Sequence, residues 1–92
     1  MATTDLTFLR QADGSCTASF VSEGKAVVQM MRKGLGMVSV LANIPGMEPC
    51  VVDTFHNPYN LGIVFGVDLP VGIEVTIRCD SEIAEAQIMT EE

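Results

Sequence analysis

His56 is the only histidine in the sequence, with Asp53 three positions before it and Tyr59 three after. A carboxylate that orients an imidazole is the arrangement of a general base. Such a base needs a nucleophile or a bound water to act on, and no serine or cysteine is placed beside it by local sequence. Cys50 and Cys79 fall at apolar strand positions. Imidazole-based metal sites generally draw on two or three histidines. Asp53 and His56 therefore read as surface residues around the Asn57-Pro58 turn.

Asp80, Glu82 and Glu85 form an acidic cluster. Paired carboxylates can cleave glycosides or hold calcium, but both uses need further ligands or a cleft. Asp80-Ser81-Glu82 lacks the glycine and the distal glutamate of a calcium loop. Gly34-Leu35-Gly36 is not followed by Gly-Lys-Ser/Thr, so it is no phosphate loop. Three cysteines, Cys16, Cys50 and Cys79, are an odd number without C-x-x-C spacing. That argues against a disulfide framework and against a zinc site, and for a reducing compartment. A bridge from Cys50 to Cys16 or to Cys79 would require their strands to be neighbours. These residues predict no catalytic site, no metal and no cofactor, and hence a protein that is not an enzyme.

The elements that would carry these residues are strands. In Gly72-Ile73-Glu74-Val75-Thr76-Ile77-Arg78-Cys79-Asp80 the apolar and polar residues alternate, the period of a half-buried strand. Residues 5–10, 16–21 and 83–89 alternate too, residues 37–42, 49–55 and 61–67 read as strands from their β-formers and the turns around them, and residues 90–92 read as a solvated tail. Ala12-Asp13-Gly14-Ser15 and Ile44-Pro45-Gly46-Met47 are turn signals. Residues 25–33 fit two descriptions. Ser22 could cap a helix that ends at Gly34. The same residues could be a strand that turns at Lys33-Gly34-Leu35-Gly36 into residues 37–42. With no other helical segment in the chain, the strand and hairpin are the expectation. The prediction is all-β: one β-sandwich domain over residues 1–92, jelly-roll or immunoglobulin-like, of about eight short antiparallel strands.

The net charge of −7 is unevenly placed: +1 in the first 46 residues and −8 in the second. Phosphate backbones and anionic membrane surfaces repel such a chain, so neither nucleic acid nor membrane is an expected partner. There is no basic segment followed by an apolar run at the start, hence no expected secretory leader. With four Phe, one Tyr and no Trp, the chain has few aromatic platforms for a glycan. Methionines are numerous, among them Met30, Met31, Met37, Met47 and Met89, and methionine suits both cores and adaptable contact surfaces. In Val27-Val28-Gln29-Met30-Met31 both faces of a strand are largely apolar. One face can be core; the other needs cover. Val27, Gln29, Met30 and Met31, with Tyr59 in the loop at residues 56–60, are the candidate interface residues.

The order of motifs also resembles a known group. A Met1-Ala2-Thr3 start is followed by a Thr/Leu/Phe strand, and Met31-Arg32-Lys33-Gly34-Leu35-Gly36 ends a central strand. Val67-Asp68-Leu69-Pro70 precedes Ile73-Glu74-Val75-Thr76-Ile77, a Ser-Glu turn and a last strand. This layout is similar to small virion proteins of tailed bacteriophages and prophages of gut Bacteroidales. The resemblance implies a head decoration or auxiliary capsid protein, a non-catalytic structural component that binds the shell, itself, or both. It implies a homo-oligomer made in the host bacterial cytoplasm and carried in the virion. The alternative is an accessory module that recognises a host protein or glycan through the loop holding Tyr59.

Overall fold

The strand that the sequence marks most clearly is the centre of one sheet. In β8 (Glu74–Cys79), Val75, Ile77 and Cys79 are buried while Glu74 and Arg78 face solvent. The computed structural model describes residues 2–90, so residues 91–92 of the expected tail lie outside it, and Thr90 closes the last strand. Before β8 come β1 (Ala2–Asp5), β2 (Leu9–Arg10), β3 (Cys16–Val21), β4 (Lys25–Arg32), β5 (Val38–Asn43), β6 (Cys50–Phe55) and β7 (Gly62–Asp68). β9 (Ile83–Thr90) follows it. They form two antiparallel sheets, one of four strands in the order β1-β9-β4-β7 and one of five in the order β2-β3-β8-β5-β6.

β4 is to the four-stranded sheet what β8 is to the other. Its residues alternate strictly, with Ala26, Val28, Met30 and Arg32 buried and Lys25, Val27, Gln29 and Met31 outward. A helix could not bury positions two apart, so the segment is a strand. The core lies between the sheets: Val28 and Met30 of β4, Phe65 and Val67 of β7 and Ile88 of β9 meet Val38 and Val40 of β5 and Val75 and Ile77 of β8. Burying each such side chain stabilises the fold by roughly 1.5–3 kcal/mol. Phe55 of β6 stacks on Phe65 of β7 with centroids 4.6 Å apart, tying the two sheets at one side.

Three expectations change. The strand expected over residues 5–10 divides into β1 and β2, which join different sheets, so the described residues hold nine strands and not eight. Leu6 is buried at the bend and Phe8 packs on the core, which keeps their shared face inward while the chain changes sheet. β4 and β5 do not form a hairpin: residues 33–37 carry the chain from one sheet to the other. Residues 80–82 do the same between β8 and β9. The two crossovers run side by side, joined by Lys33 N–H to Glu82 O at 2.8 Å and Asp80 N–H to Met37 O at 3.1 Å. Two hairpins are as expected: Asp13-Gly14 joins β2 to β3, and Pro45-Gly46 joins β5 to β6. Gly14 and Gly46 have φ of 90° and 92°, as those turns require.

The condition for a Cys50 bridge is not met. Cys50 lies on β6, which neighbours only β5, so it is adjacent to neither Cys16 nor Cys79. Cys16 and Cys79 are direct partners across β3 and β8, both buried and both free thiols.

Candidate functional site

The residues first suspected of chemistry are not assembled into a site. His56 and Asp53 are both exposed, and the Asp53 carboxylate accepts only the neighbouring Thr54 N–H, at 2.8 Å. Among the described residues no three His, Cys, Asp or Glu side chains converge as metal ligands. Glu82 is paired with Arg10 at 2.8 Å and with Lys33 at 3.6 Å, so the acidic cluster is partly neutralised. Asp13 is tied into the turn between β2 and β3. The Ser15 hydroxyl and backbone N–H, and then the Arg78 guanidinium, hold its carboxyl below its ordinary value of 3.8. These contacts stabilise the β2–β3 turn.

The outer face of the four-stranded sheet is a better candidate. Strand register arranges it in rows: Met89–Val27–Gly66, then Gln87–Gln29–Val64, then Glu85–Met31–Gly62. Of these nine positions only Glu85 is charged. Val27 is 37% exposed and Met31 41%. Lys25, paired in register with Asp68, bounds one end, and Asp5, which accepts from Gln87 Nε2 at 3.2 Å, bounds one side. Gly66 has no side chain to fill the space beside Val27, and a groove of about 380 Å³ lies there, floored by Val27, Val67 and Met89 and reaching Lys25 and Asp68 at the end of the face. The middle of the face is thus uncharged, two glutamines among valines, methionines and glycines, with charged residues at its ends and along one side.

Of the interface residues named from sequence, Val27, Gln29 and Met31 share this face. Met30 does not. It is 2% exposed and fills the core, because the strand period turns it away from its neighbours. Tyr59 lies off the sheet but near its Met31 end, in the loop that leads to Gly62, Met31's register partner. It is 95% exposed. Gly62, Val64, Gly66, Glu85, Gln87 and Met89 complete the face, and only the register of β7 and β9 reveals them.

Arg32 was the residue least legible for its role. Its place after Ala26, Val28 and Met30 in the same period was the available signal. It is 1% exposed, and its guanidinium donates to the carbonyls of Leu61, Gly36, Asn57 and Asn60. Asn57 Oδ1 accepts from Tyr59 N–H at 3.1 Å, and Asn60 Oδ1 from Gly62 N–H at 2.9 Å. The loop displaying Tyr59 is thus held from beneath and from within.

No helix among the described residues is long and apolar enough to cross a membrane. In comparison with known proteins, no family model matches the chain and no curated protein matches its sequence.

Proposed function

We propose that this chain is a non-enzymatic structural protein of a tailed-phage particle. In this reading it is a head decoration or auxiliary capsid protein that associates with copies of itself through the outer face of its four-stranded sheet. The observation that carries the reading is the array centred on Gln29, eight of whose nine positions are uncharged in a chain of net charge −7. The fold is read as a jelly roll, an architecture common to capsid proteins and to lectins. Its support is the order of strands: β1-β9-β4-β7 lies against β3-β8-β5-β6, with β2 added at one edge.

A second copy suits the face chemically. Gln29 and Gln87 each carry a donor and an acceptor, so their amides can satisfy each other across a two-fold axis. Lys25 sits at one end of the face and Glu85 at the other. A two-fold axis in the contact plane and perpendicular to the strands lays each Lys25 toward the Glu85 of the other copy. Sedimentation up to millimolar concentration tests this, with Val27→Glu and Gln29→Glu as variants. Self-association is expected in the parent chain and is lost in both variants, whose melting at dilute, monomeric concentration stays close to the parent's because the positions are exposed. Salt is expected to strengthen association by screening the overall negative charge. A strict monomer, absent also from purified particles, overturns the reading.

The exposure and bracing of Tyr59 favour a second reading, a module that binds a host protein or glycan through the loop. Under it, Tyr59→Ala abolishes binding in a glycan or protein array and leaves self-association untouched.

A further inference from the structure

We propose that Cys16 and Cys79 are a reversible disulfide site, reduced in the cell and closed by low-molecular-weight disulfides outside it. The two are direct register partners on antiparallel strands and share the inward face. Directly opposed residues in such a pair have Cα atoms about 4.5–5.5 Å apart, inside the disulfide window of roughly 4.4–6.8 Å. Their Cβ atoms, about 4.5–5.5 Å apart, lie at or beyond the upper limit of roughly 4.5 Å that a disulfide spans. Closing the bond therefore draws β3 and β8 together and leaves it readily reducible.

The position of Cys16 in the fold gives the route of access. Cys16 opens β3 immediately after the β2–β3 turn, and its neighbour on that side in the sheet is the two-residue β2, through Arg10. Fraying of this short hairpin exposes Cys16 first. Cys79 Sγ lies 3.4 Å from the Ser81 hydroxyl, whose own proton goes to the Gly34 carbonyl at 3.0 Å, so the thiol donates and Ser81 orients it. The Cys16 thiolate attacks one sulfur of the small disulfide and releases one small thiolate. The Cys79 thiolate then attacks Cys16 Sγ and releases the second. Two protein thiols become one disulfide, the reagent is reduced to two thiols, and the two protein protons end on them. Cys50, exposed and remote, takes no part. The product staples β3 to β8 within the existing strand order, and the inference does not depend on what the protein assembles with.

The test uses native Cys50→Ser protein equilibrated over a series of oxidised-to-reduced glutathione ratios, then alkylated and mapped by mass spectrometry. The expected product is a Cys16–Cys79 cross-linked peptide that disappears on return to reducing conditions. The melting temperature rises by roughly 5–10 °C with it. Adding Cys16→Ala removes both the cross-link and the rise. The proposal is overturned if no cross-link forms across the series, if it forms only in denaturant, or if oxidation stops at a stable mixed disulfide.

Discussion

The carbonyl oxygen of Leu61 accepts two hydrogen bonds from Arg32, one from the backbone N–H and one from Nε–H, each at 3.0 Å. The first continues the pairing of β4 beyond its last register partner on β7. The second belongs to a guanidinium whose other nitrogens reach Gly36, Asn57 and Asn60. A buried cation here is balanced by carbonyl dipoles and not by an acid. It joins the β4–β5 crossover to the Tyr59 loop.

Removing that cation leaves buried carbonyls without donors, which costs more than the bonds themselves contribute. Arg32→Met is expected to lower stability by about 3–4 kcal/mol in urea denaturation. Arg32→Lys should recover only part, because an ammonium lacks the planar fork that serves spread acceptors. Amide exchange at Tyr59 and Gly62 should accelerate in both variants. By contrast, Lys33→Met disturbs only an exposed pair and should stay within about 0.5 kcal/mol. Equal losses at the two positions would mean that the loop is not held by Arg32.

Gly36 is fixed by proximity. A Cβ there would lie 2.7 Å from Ser81 N and 2.9 Å from Asp80 C, both backbone atoms of the neighbouring crossover. At Gly34 the nearest atom is the Ser81 Cβ at 3.4 Å, an ordinary contact. Gly36→Ala must push the crossovers apart and is expected to cost about 2 kcal/mol. Gly34→Ala should cost about 0.5 kcal/mol or less. Paired thermal melts of the two variants decide it, and similar values would remove the case for a close approach.

Asp13 gives a pH signature. Its carboxyl lies below 3.8 in the fold because the carboxylate accepts from Ser15 and faces Arg78. A lowered folded value means that the unfolded chain binds this proton more readily. The contribution is therefore complete above pH 3.8 and is lost as pH falls through the lowered value. Asp13→Asn should flatten the stability profile below that pH and leave its slope at higher pH unchanged. A side-chain carboxyl NMR titration reads the same shift directly; a midpoint at or above 3.8 would contradict it.

Strand positions were legible in the sequence because period two survives in single segments: Val75, Ile77 and Cys79 needed no partner to declare their face. Which sheet each strand joins was not. Lys33-Gly34-Leu35-Gly36 has the composition of a hairpin turn, yet it spans the sheets. Nothing local separates the two, since β4 and β5 each present one buried face in either case. The same holds for the face around Gln29. Val27 and Met31 could be named from β4 alone, whereas Gly66 and Met89 join them only through pairing more than thirty residues away in sequence. Period also shows that Met30 belongs to the core, an inference that a general search for apolar excess misses.

Gly66 separates stability from association. It lies outward on the edge strand β7, and a Cβ there would have only the Ala26 carbonyl within reach, at 3.9 Å. Glycine inside a strand weakens it, and in edge positions often marks where another backbone or ligand approaches. Gly66→Val should therefore stabilise the isolated fold by about 0.5–1 kcal/mol, through lower unfolded-state entropy and better strand propensity. It also fills the groove between Val27 and Met89. If a second copy inserts there, association weakens about tenfold or more, which corresponds to ~1.4 kcal/mol. Denaturation and sedimentation on one preparation then move in opposite directions. A variant that is more stable and associates as before would show that the groove stays empty in the assembly, and would move the contact toward Met31 and Gly62.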